Sequence, residues 1–334
     1  MRLDDIPFEE TRWPEPPAPP LADLFATGPA RAAAWRHWVT DAATGAGRVG
    51  LYGIFSLLPL DAASAMGAGI APVFRWMNRK TLAQARMERA LARIRPDLDT
   101  PDKRRPVIDD WWRNTVRTLA EFPSVDALAE PTRLVHEGRE HIEAALASGR
   151  PVIVVSVHLA SWEASFRVLI AASREAGKPW FGVYAPQRNR FENRLVYRTR
   201  RRSRTYAFPP APGTVRRLFQ LLKSGAANFA ILVDEPADGE VGFPLFGRRL
   251  PERCNLRIAM RLARRTNAVI LPAYLSRPGG ARLVAHWTKP MEIADHPPDE
   301  EGEQAFARAL SPRFEEPILA RPSQWYMLDR LKFR

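Results

Sequence analysis

The stretch PVIVVSVHLASWEAS, residues 151–165, decides the fold. Its first seven residues form a run rich in β-branched side chains, which is typical of a strand buried on both faces of a sheet. A helix is predicted to follow from about residue 162 to residue 176. A buried strand followed at once by a helix is the first half of a βαβ unit, so this stretch predicts a parallel sheet.

The same alternation continues towards the C-terminus. Further strand-like runs lie at residues 181–185, 229–233, 268–275 and 282–287. Further helices are predicted at residues 191–202, 215–222, 252–265 and 301–320. Strands that alternate with helices predict an α/β fold with a mostly parallel central sheet flanked by helices.

The N-terminal third is expected to be helical and to associate with a membrane. Residues 49–74 carry Asp61 as their only charge, and a segment of that length can span a bilayer. Its alanines and glycines, together with Pro59, make it a poor spanning helix. Basic residues flank it on both sides, which favours an interfacial or re-entrant anchor against anionic headgroups. The alternative is a buried helical hairpin.

These features divide the chain into three parts. Residues 1–30 are acidic and proline-rich, and we expect a flexible or loosely packed arm. Residues 31–130 are predicted to form the helical membrane-associated region, and residues 131–334 the α/β domain. Residues 31–334 are expected to be one structural unit.

Charge and composition narrow the class of partner. The formal net charge of +13 favours partners that carry negative charge. The densest basic run, residues 198–204, either holds phosphate or is a solvated helix face. Because no stacking aromatics interleave with this run and no standard motif is present, nucleic acid is not expected as a partner. One cysteine, Cys254, excludes a disulfide framework and a cysteine-based metal site, and no metal is expected.

His158 is the candidate catalytic residue. It directly follows the first buried run, and ligands of open parallel sheets bind beyond the carboxyl ends of the strands. Glu163 lies five residues later. If His158 lies in the turn and Glu163 in the first helical turn, the carboxylate accepts the Nδ1 proton and leaves Nε2 as a general base for a hydroxyl. A structural histidine and a carboxylate that complements the helix dipole are the alternative.

Several blocks of the chain resemble a known family. VVSVHLASWEAS (154–165) is similar to its His-x4-Asp/Glu signature. Four more blocks resemble its other conserved blocks in the same order: residues 89–122, VYAPQRNRFENRLV (183–196), ILVDEPADGEVGFPLFGRRLP (231–251) and PSQWYMLDRLKFR (322–334). The chain thus resembles the bacterial lipid A secondary acyltransferases, the lauroyl/myristoyl acyltransferase family, over about residues 50–334.

The resemblance implies an activity and a location. A fatty acyl chain would move from acyl carrier protein or acyl-CoA to a hydroxyl of a lipid A precursor, which is a phosphorylated glycolipid. His158 would be the base and Glu163 its acidic partner, with no metal and no cofactor. The resemblance also implies attachment to the bacterial inner membrane with the site on the cytoplasmic face.

Four further residues are expected to bind substrate by position and resemblance: Arg188, Asn193, Asp234 and Arg330. Asp234 is expected to orient Arg188 or the acceptor. The chain departs from the family at Ala185, where arginine is frequent, and at Asp329, where histidine is usual. The block that follows residue 233 begins Asp-Glu-Pro where the family has Asp-Gln-Asp.

These departures leave the acyl-transfer chemistry in place and keep the acceptor open. One alternative is an acyltransferase for another membrane glycolipid or an aminolipid. A second alternative is a non-catalytic, basic, membrane-binding adaptor.

Overall fold

The computed structural model describes residues 2–173, 177–211 and 213–333. Within these ranges seven strands form one sheet in the order β1-β7-β6-β2-β5-β3-β4. The strands are β1 (Leu134–Glu137), β2 (Val152–Ser156), β3 (Trp180–Val183), β4 (Tyr206–Phe208), β5 (Asn228–Leu232), β6 (Val269–Gly279) and β7 (Arg282–Trp287). Strands β6, β2, β5, β3 and β4 are parallel, whereas β7 is antiparallel to β6 and parallel to β1. The predicted α/β fold with a mostly parallel sheet is confirmed.

The helices of the described ranges lie before the sheet, between its strands and after it. They are α1 (Gly28–Trp35), α2 (Asp41–Ser56), α3 (Leu60–Met77), α4 (Leu82–Ile94), α5 (Pro101–Glu121), α6 (Arg139–Ala147), α7 (Ser165–Ala172), α8 (Arg190–Arg202), α9 (Thr214–Lys223), α10 (Asn255–Thr266), α11 (Glu300–Leu310) and α12 (Pro312–Ala320). A π-helical segment, Arg36–Thr40, joins α1 to α2. The single helix predicted over residues 301–320 is divided in two, because Pro312 lacks the N–H that a continuous helix needs and begins α12 instead.

Side chains of the central strands alternate between two apolar cores. In β2, Ile153 and Val155 belong to one core, and Val152 and Val154 belong to the other. All five residues of β2 are buried. A strand buried on both faces has few polar positions, which is why a nearly continuous β-branched run predicted it.

A buried ion pair joins the N-terminal helices to the sheet. Glu121, at the end of α5, accepts hydrogen bonds from both terminal nitrogens of Arg277 in β6, at 2.8 and 2.6 Å. Ser64 of α3 donates a third hydrogen bond to Glu121, at 2.7 Å. Both charged side chains are almost completely buried, so each needs the other as a partner. The helices and the sheet therefore share one interior.

The segment predicted to be a membrane anchor forms the end of α2 and most of α3. Pro59 separates the two helices, since its ring does not continue a helix. No helix in the described ranges is both apolar enough and long enough to cross a bilayer. Large apolar side chains are nevertheless exposed on α2, α3, their connection and the start of α4: Val49, Leu51, Ile54, Leu57, Val73, Trp76, Met77 and Leu82.

The acidic N-terminal segment is packed against the α/β part of the chain. Leu3 and Ile6 are buried in the core, and the Phe8 ring lies 5.2 Å from the ring of Tyr206 in the edge strand β4. Glu15 accepts two hydrogen bonds from Arg194 of α8, at 2.7 and 2.6 Å. The loose packing expected of this segment is not found at these residues. The 3-10 segment Phe8–Thr11 thus packs against β4 at the edge of the sheet.

Candidate active site

His158 lies in a tight turn two residues beyond β2. Two backbone hydrogen bonds join this turn to the C-terminal segment. Tyr326 N–H donates to the His158 carbonyl at 2.9 Å, and Ala160 N–H donates to the Gln324 carbonyl at 3.0 Å. Ala160 has a φ of 53°, a left-handed conformation that reverses the chain before the next helix. His158 is therefore fixed at the carboxyl edge of the parallel strands, where the sequence predicted a site.

Asp234 is the carboxylate that orients the imidazole. Strand β5 is the parallel neighbour of β2, so Asp234, two residues beyond β5, lies beside His158. Its Oδ1 is 2.7 Å from Nδ1 of His158. Its Oδ2 accepts the His158 backbone N–H at 2.9 Å and the indole N–H of Trp325 at 2.8 Å. Asp234 is fully buried, and these bonds hold its two oxygens in place.

This arrangement sets the tautomer and the basicity of the imidazole. A carboxylate that accepts the Nδ1 proton leaves Nε2 with the lone pair. Burial by itself lowers the pKa of His158, but the carboxylates of Asp234, Glu235 and Glu163 outweigh burial, so the pKa of His158 is raised. The site therefore contains an oriented imidazole whose protonated form is stabilised by buried negative charge.

The prediction that Glu163 accepts the Nδ1 proton is wrong. Glu163 lies in the short 3-10 helix Trp162–Ala164, before α7 begins, and its Oε2 lies 4.0 Å from Nη2 of Arg200 in α8. Of the three carboxylates that raise the pKa of His158, Glu163 has the smallest effect. The neighbouring parallel strand brings Asp234 to Nδ1, and this proximity does not depend on sequence spacing.

The other predicted substrate-binding residues have different positions. Arg188 and Arg330 line the cavity beside His158. The expectation that Asp234 orients Arg188 is wrong, because the oxygens of Asp234 bind His158 and Trp325. Asn193 exchanges two hydrogen bonds with the backbone of Gln187, at 2.8 and 2.7 Å, and so closes the loop before α8.

A cavity of about 1280 Å³ lies at the carboxyl edge of the sheet and includes His158 in its wall. The rings of Trp162 and Tyr326 stack at 4.2 Å and lie 6.1 and 6.2 Å from the imidazole. Apolar side chains of the N-terminal helices form another part of the wall: Leu51, Phe55, Phe74, Trp111 and Leu119. Alanines of three strands also line it: Ala230, Ala273 and Ala285. A cavity of this size with a mainly apolar wall suits a long aliphatic chain.

Charged side chains complete the cavity wall. The cations are Arg48, Arg167, Arg188, Arg200 and Arg330, and the carboxylates are Glu163, Glu192, Glu235 and Asp329. Burial lowers the pKa of Arg200, opposed by the carboxylate of Glu163. Its guanidinium lies 4.4 Å from the Tyr184 ring, and its Nη1 has no hydrogen-bond partner among the described residues. The basic run of α8 thus has two faces, since the side chain of Arg201 is mostly exposed.

Sequence reasoning missed two contributors to the site. Trp325, which is completely buried, supplies a hydrogen bond that fixes Asp234. Glu235 places Oε2 3.5 Å from Nε2 of His158, and burial raises the pKa of its carboxyl group, opposed by His158 and Arg330. One signal was present for Glu235, because it directly follows Asp234 beyond a buried strand. The sequence held no comparable signal for the indole.

Comparison with known proteins identifies a family. The model of the family described as bacterial lipid A biosynthesis acyltransferase matches residues 39–333. The match contains the turn of His158, helix α8, Asp234 and the C-terminal segment that holds the turn. The acidic N-terminal segment and α1 both precede it. No curated protein matches the chain at a significant level.

Proposed function

We propose that this chain, which belongs to the bacterial lipid A biosynthesis acyltransferase family, transfers a fatty acyl chain from an acyl thioester to a hydroxyl of a lipid A precursor. The donor is the thioester of acyl carrier protein or of coenzyme A, and the acceptor is a phosphorylated glycolipid. One observation carries the proposal above all others. The buried Asp234 holds Nδ1 of His158 at 2.7 Å, and both His158 and its neighbour Glu235 line the large, partly apolar cavity.

His158 is the general base of the proposed reaction. Its Nε2 takes the proton of the acceptor hydroxyl as that oxygen attacks the thioester carbonyl carbon. A carbon–oxygen bond forms, the carbon–sulfur bond breaks, and the imidazolium returns the proton to the departing sulfur. Asp234 keeps the ring in the required tautomer and stabilises the imidazolium, as the acidic member of a catalytic triad does. The substrate hydroxyl takes the place of a protein nucleophile.

Glu163 is proposed to contribute through charge and through Arg200. Its carboxylate helps to raise the pKa of His158 and lies 4.0 Å from the guanidinium of Arg200. Arg200 belongs to a set of arginines in the cavity wall, and guanidinium groups bind phosphate through paired hydrogen bonds. We therefore assign these arginines to the phosphates of the acceptor or of the donor.

Attachment to the cytoplasmic face of the inner membrane is also a proposal. It is supported by the exposed apolar side chains of α2 and α3 and by basic residues beside them, including Arg48 and Arg79. The cavity supports it too, because Leu51, Phe55 and Phe74 of the same helices line its wall. A lipid that leaves the membrane surface along these helices arrives at His158 without crossing water.

Membrane attachment is tested by sedimentation with anionic lipid vesicles. The double change Leu57→Asp and Trp76→Asp places two charges among the exposed apolar residues and is expected to lower bound protein at least ~10-fold, because inserting charge into the interface is costly. Val135→Asp, at another exposed apolar position, is the matched control and should bind as the unchanged protein does. Equal binding by all three proteins would contradict membrane attachment through this surface.

The activity itself is tested by comparing lipid mass spectra of a strain with and without the gene. We expect lipid A to lose one acyl chain when the gene is deleted, and purified protein to restore it from one of the two thioester donors. Loss of a chain from another glycolipid or an aminolipid would transfer the proposal to that acceptor. Unchanged lipids, together with no transfer from either donor in vitro, would contradict acyltransferase activity and support a non-catalytic adaptor.

A further inference from the structure

Glu235 lies close to the ring nitrogen of His158 that reacts in the proposed mechanism. Its Oε2 lies 3.5 Å from Nε2 of His158, the nitrogen that takes the acceptor proton in the proposed reaction. Its side chain is about one-third exposed and lines the cavity. Within the described ranges no donor makes a hydrogen bond to this carboxylate, and His158 is the basic group found within 4 Å of it. The carboxylate oxygens of Glu235 can thus accept a further hydrogen bond at the place where the acyl acceptor must bind.

The geometry limits which acceptors fit. A hydroxyl that donates to Nε2 lies about 2.7–3.0 Å from that nitrogen, so it also comes close to Oε2 of Glu235. A hydroxyl has one hydrogen and a carboxylate can only accept, so a lone hydroxyl cannot satisfy both groups. Its oxygen would instead present lone pairs to the carboxylate. A second donor hydrogen next to the reacting hydroxyl removes this conflict.

We propose that Glu235 determines which lipids serve as acyl acceptors. Its carboxylate accepts a hydrogen bond from a second group of the lipid, an N–H or O–H that lies beside the reacting hydroxyl. This inference rests on the proposed function, because it assigns Glu235 a role towards the same acceptor. Its consequence is that a plain alcohol is a poor acceptor, whereas a hydroxyl flanked by an amide or by another hydroxyl is a good one. Leaving the carboxylate unpaired in the complex is what discriminates against the plain alcohol.

Two other charged groups near Glu235 do not take over this role. Asp234 is fully buried behind the imidazole, and its oxygens already accept hydrogen bonds from His158 and Trp325. Arg330 lies 3.2 Å from Asp329 and acts on Glu235 only through its charge. Among the described residues, Glu235 is therefore the carboxylate that lies within 4 Å of Nε2 of His158 with acceptor atoms still to offer.

The test uses two acceptors that differ in one group: a long-chain hydroxyacyl amide and its ester analogue, which lacks the amide N–H. With the unchanged enzyme, kcat/KM is expected to be at least ~10-fold higher for the amide, the effect typical of one hydrogen bond to a charged group. Loss of the Glu235 charge acts on His158 with either acceptor, so Glu235→Ala should lower kcat/KM more for the amide than for the ester and bring the ratio of the two close to one. Glu235→Gln should keep most of the preference, since its amide oxygen still accepts. Asp238→Asn, on the same loop with an exposed side chain, is the matched control.

Two outcomes would overturn the inference. If Glu235→Ala lowers kcat/KM equally for both acceptors, Glu235 acts only through its charge on the imidazolium. If Glu235→Ala leaves the preference intact, the second donor is recognised elsewhere. A different failure, in which the unchanged enzyme acylates neither acceptor nor any lipid A precursor, would contradict the proposed function itself. Thermal melting of each variant separates these outcomes from loss of folding.

Discussion

Two histidines border the cavity, and each has a carboxylate at Nδ1 and another group at Nε2. For His158 these are Asp234 at 2.7 Å and Glu235 at 3.5 Å. For His286 of β7, Glu137 lies 2.9 Å from Nδ1 and the Ser276 hydroxyl lies 2.8 Å from Nε2. By distances alone, the second set resembles a serine–histidine–glutamate catalytic group more closely than the first.

The two histidines differ in the burial of the partner carboxylate and in whether Nε2 already has a hydrogen-bond partner. Asp234 is fully buried, whereas the side chain of Glu137 is 62% exposed, so water screens its charge. Burial lowers the pKa of His286 and Glu137 offsets this only in part, while the pKa of His158 is raised. In addition, the Ser276 hydroxyl occupies Nε2 of His286. A histidine–carboxylate pair therefore makes a strong base where the carboxylate is shielded from water and the other ring nitrogen has no hydrogen-bond partner.

The largest expected difference is between alanine substitutions of the two histidines. His158→Ala should lower the transfer rate by ~10³-fold or more, because it removes the proposed general base. His286→Ala should change the rate less than ~3-fold and cost about 1 kcal/mol of stability through lost hydrogen bonds. Both are measured as initial rates of acyl transfer, with thermal melting alongside. A comparable loss of rate in both variants would contradict the difference in role between His158 and His286.

The next difference is between the two carboxylates. Asp234→Asn keeps the shape but can present an N–H to Nδ1, which favours the wrong tautomer, so the transfer rate should fall ~10²- to 10⁴-fold. Glu137→Gln, at an exposed carboxylate, should leave the rate within ~3-fold. Single-turnover rates with a saturating acceptor provide the measurement. An Asp234→Asn enzyme with an almost normal rate would show that the tautomer of His158 does not matter.

The pH dependence of transfer sharpens the comparison further. The base must be neutral, so kcat/KM should rise with pH through the pKa of His158, which is raised above the ordinary value of about 6.5. Asp234→Asn removes a charge that raises this pKa, so its residual activity should rise at lower pH. Rates measured between about pH 5 and pH 9 reveal both midpoints. If the pH midpoint of the unchanged enzyme were lower than that of Asp234→Asn, the charge of Asp234 would not raise the pKa of His158.

Among the carboxylates that act on His158, Glu163 is expected to show the smallest effect. Because it lies beside Arg200 and acts on His158 only over a distance, Glu163→Gln should lower kcat/KM about 10-fold, mainly by raising KM for a phosphorylated acceptor. With a dephosphorylated acceptor the loss should be smaller. Inactivation as severe as that of His158→Ala, with either acceptor, would show that Glu163 acts directly on the imidazole.

The sequence predicted the place of His158 but not its partner. A β-branched run that ends in histidine marks the end of a buried strand, and parallel sheets bind ligands at that end. The contact with Asp234 depends on β5 lying next to β2, although β3 and β4 come between them along the chain. Spacing along one segment therefore favoured Glu163, whereas strand order determines which carboxylate meets Nδ1.

Short or weakly patterned segments were also missed. Strands β1 and β4 have four and three residues at the two edges of the sheet, too few to show a period. In the acidic N-terminal segment, Leu3 and Ile6 are buried although the composition around them is polar. Two apolar residues in such a stretch carry little signal, because their burial depends on a partner surface formed by distant parts of the chain.

A double-mutant cycle on His158 and Asp234 tests the central claim most directly. Transfer rates are measured for His158→Ala, Asp234→Asn and the double variant under the same conditions. If Asp234 works by orienting and stabilising His158, the double variant should be no slower than His158→Ala alone, since residues that act as a unit are strongly non-additive. If the two losses multiply, Asp234 contributes independently of the imidazole, and the account of this base is wrong.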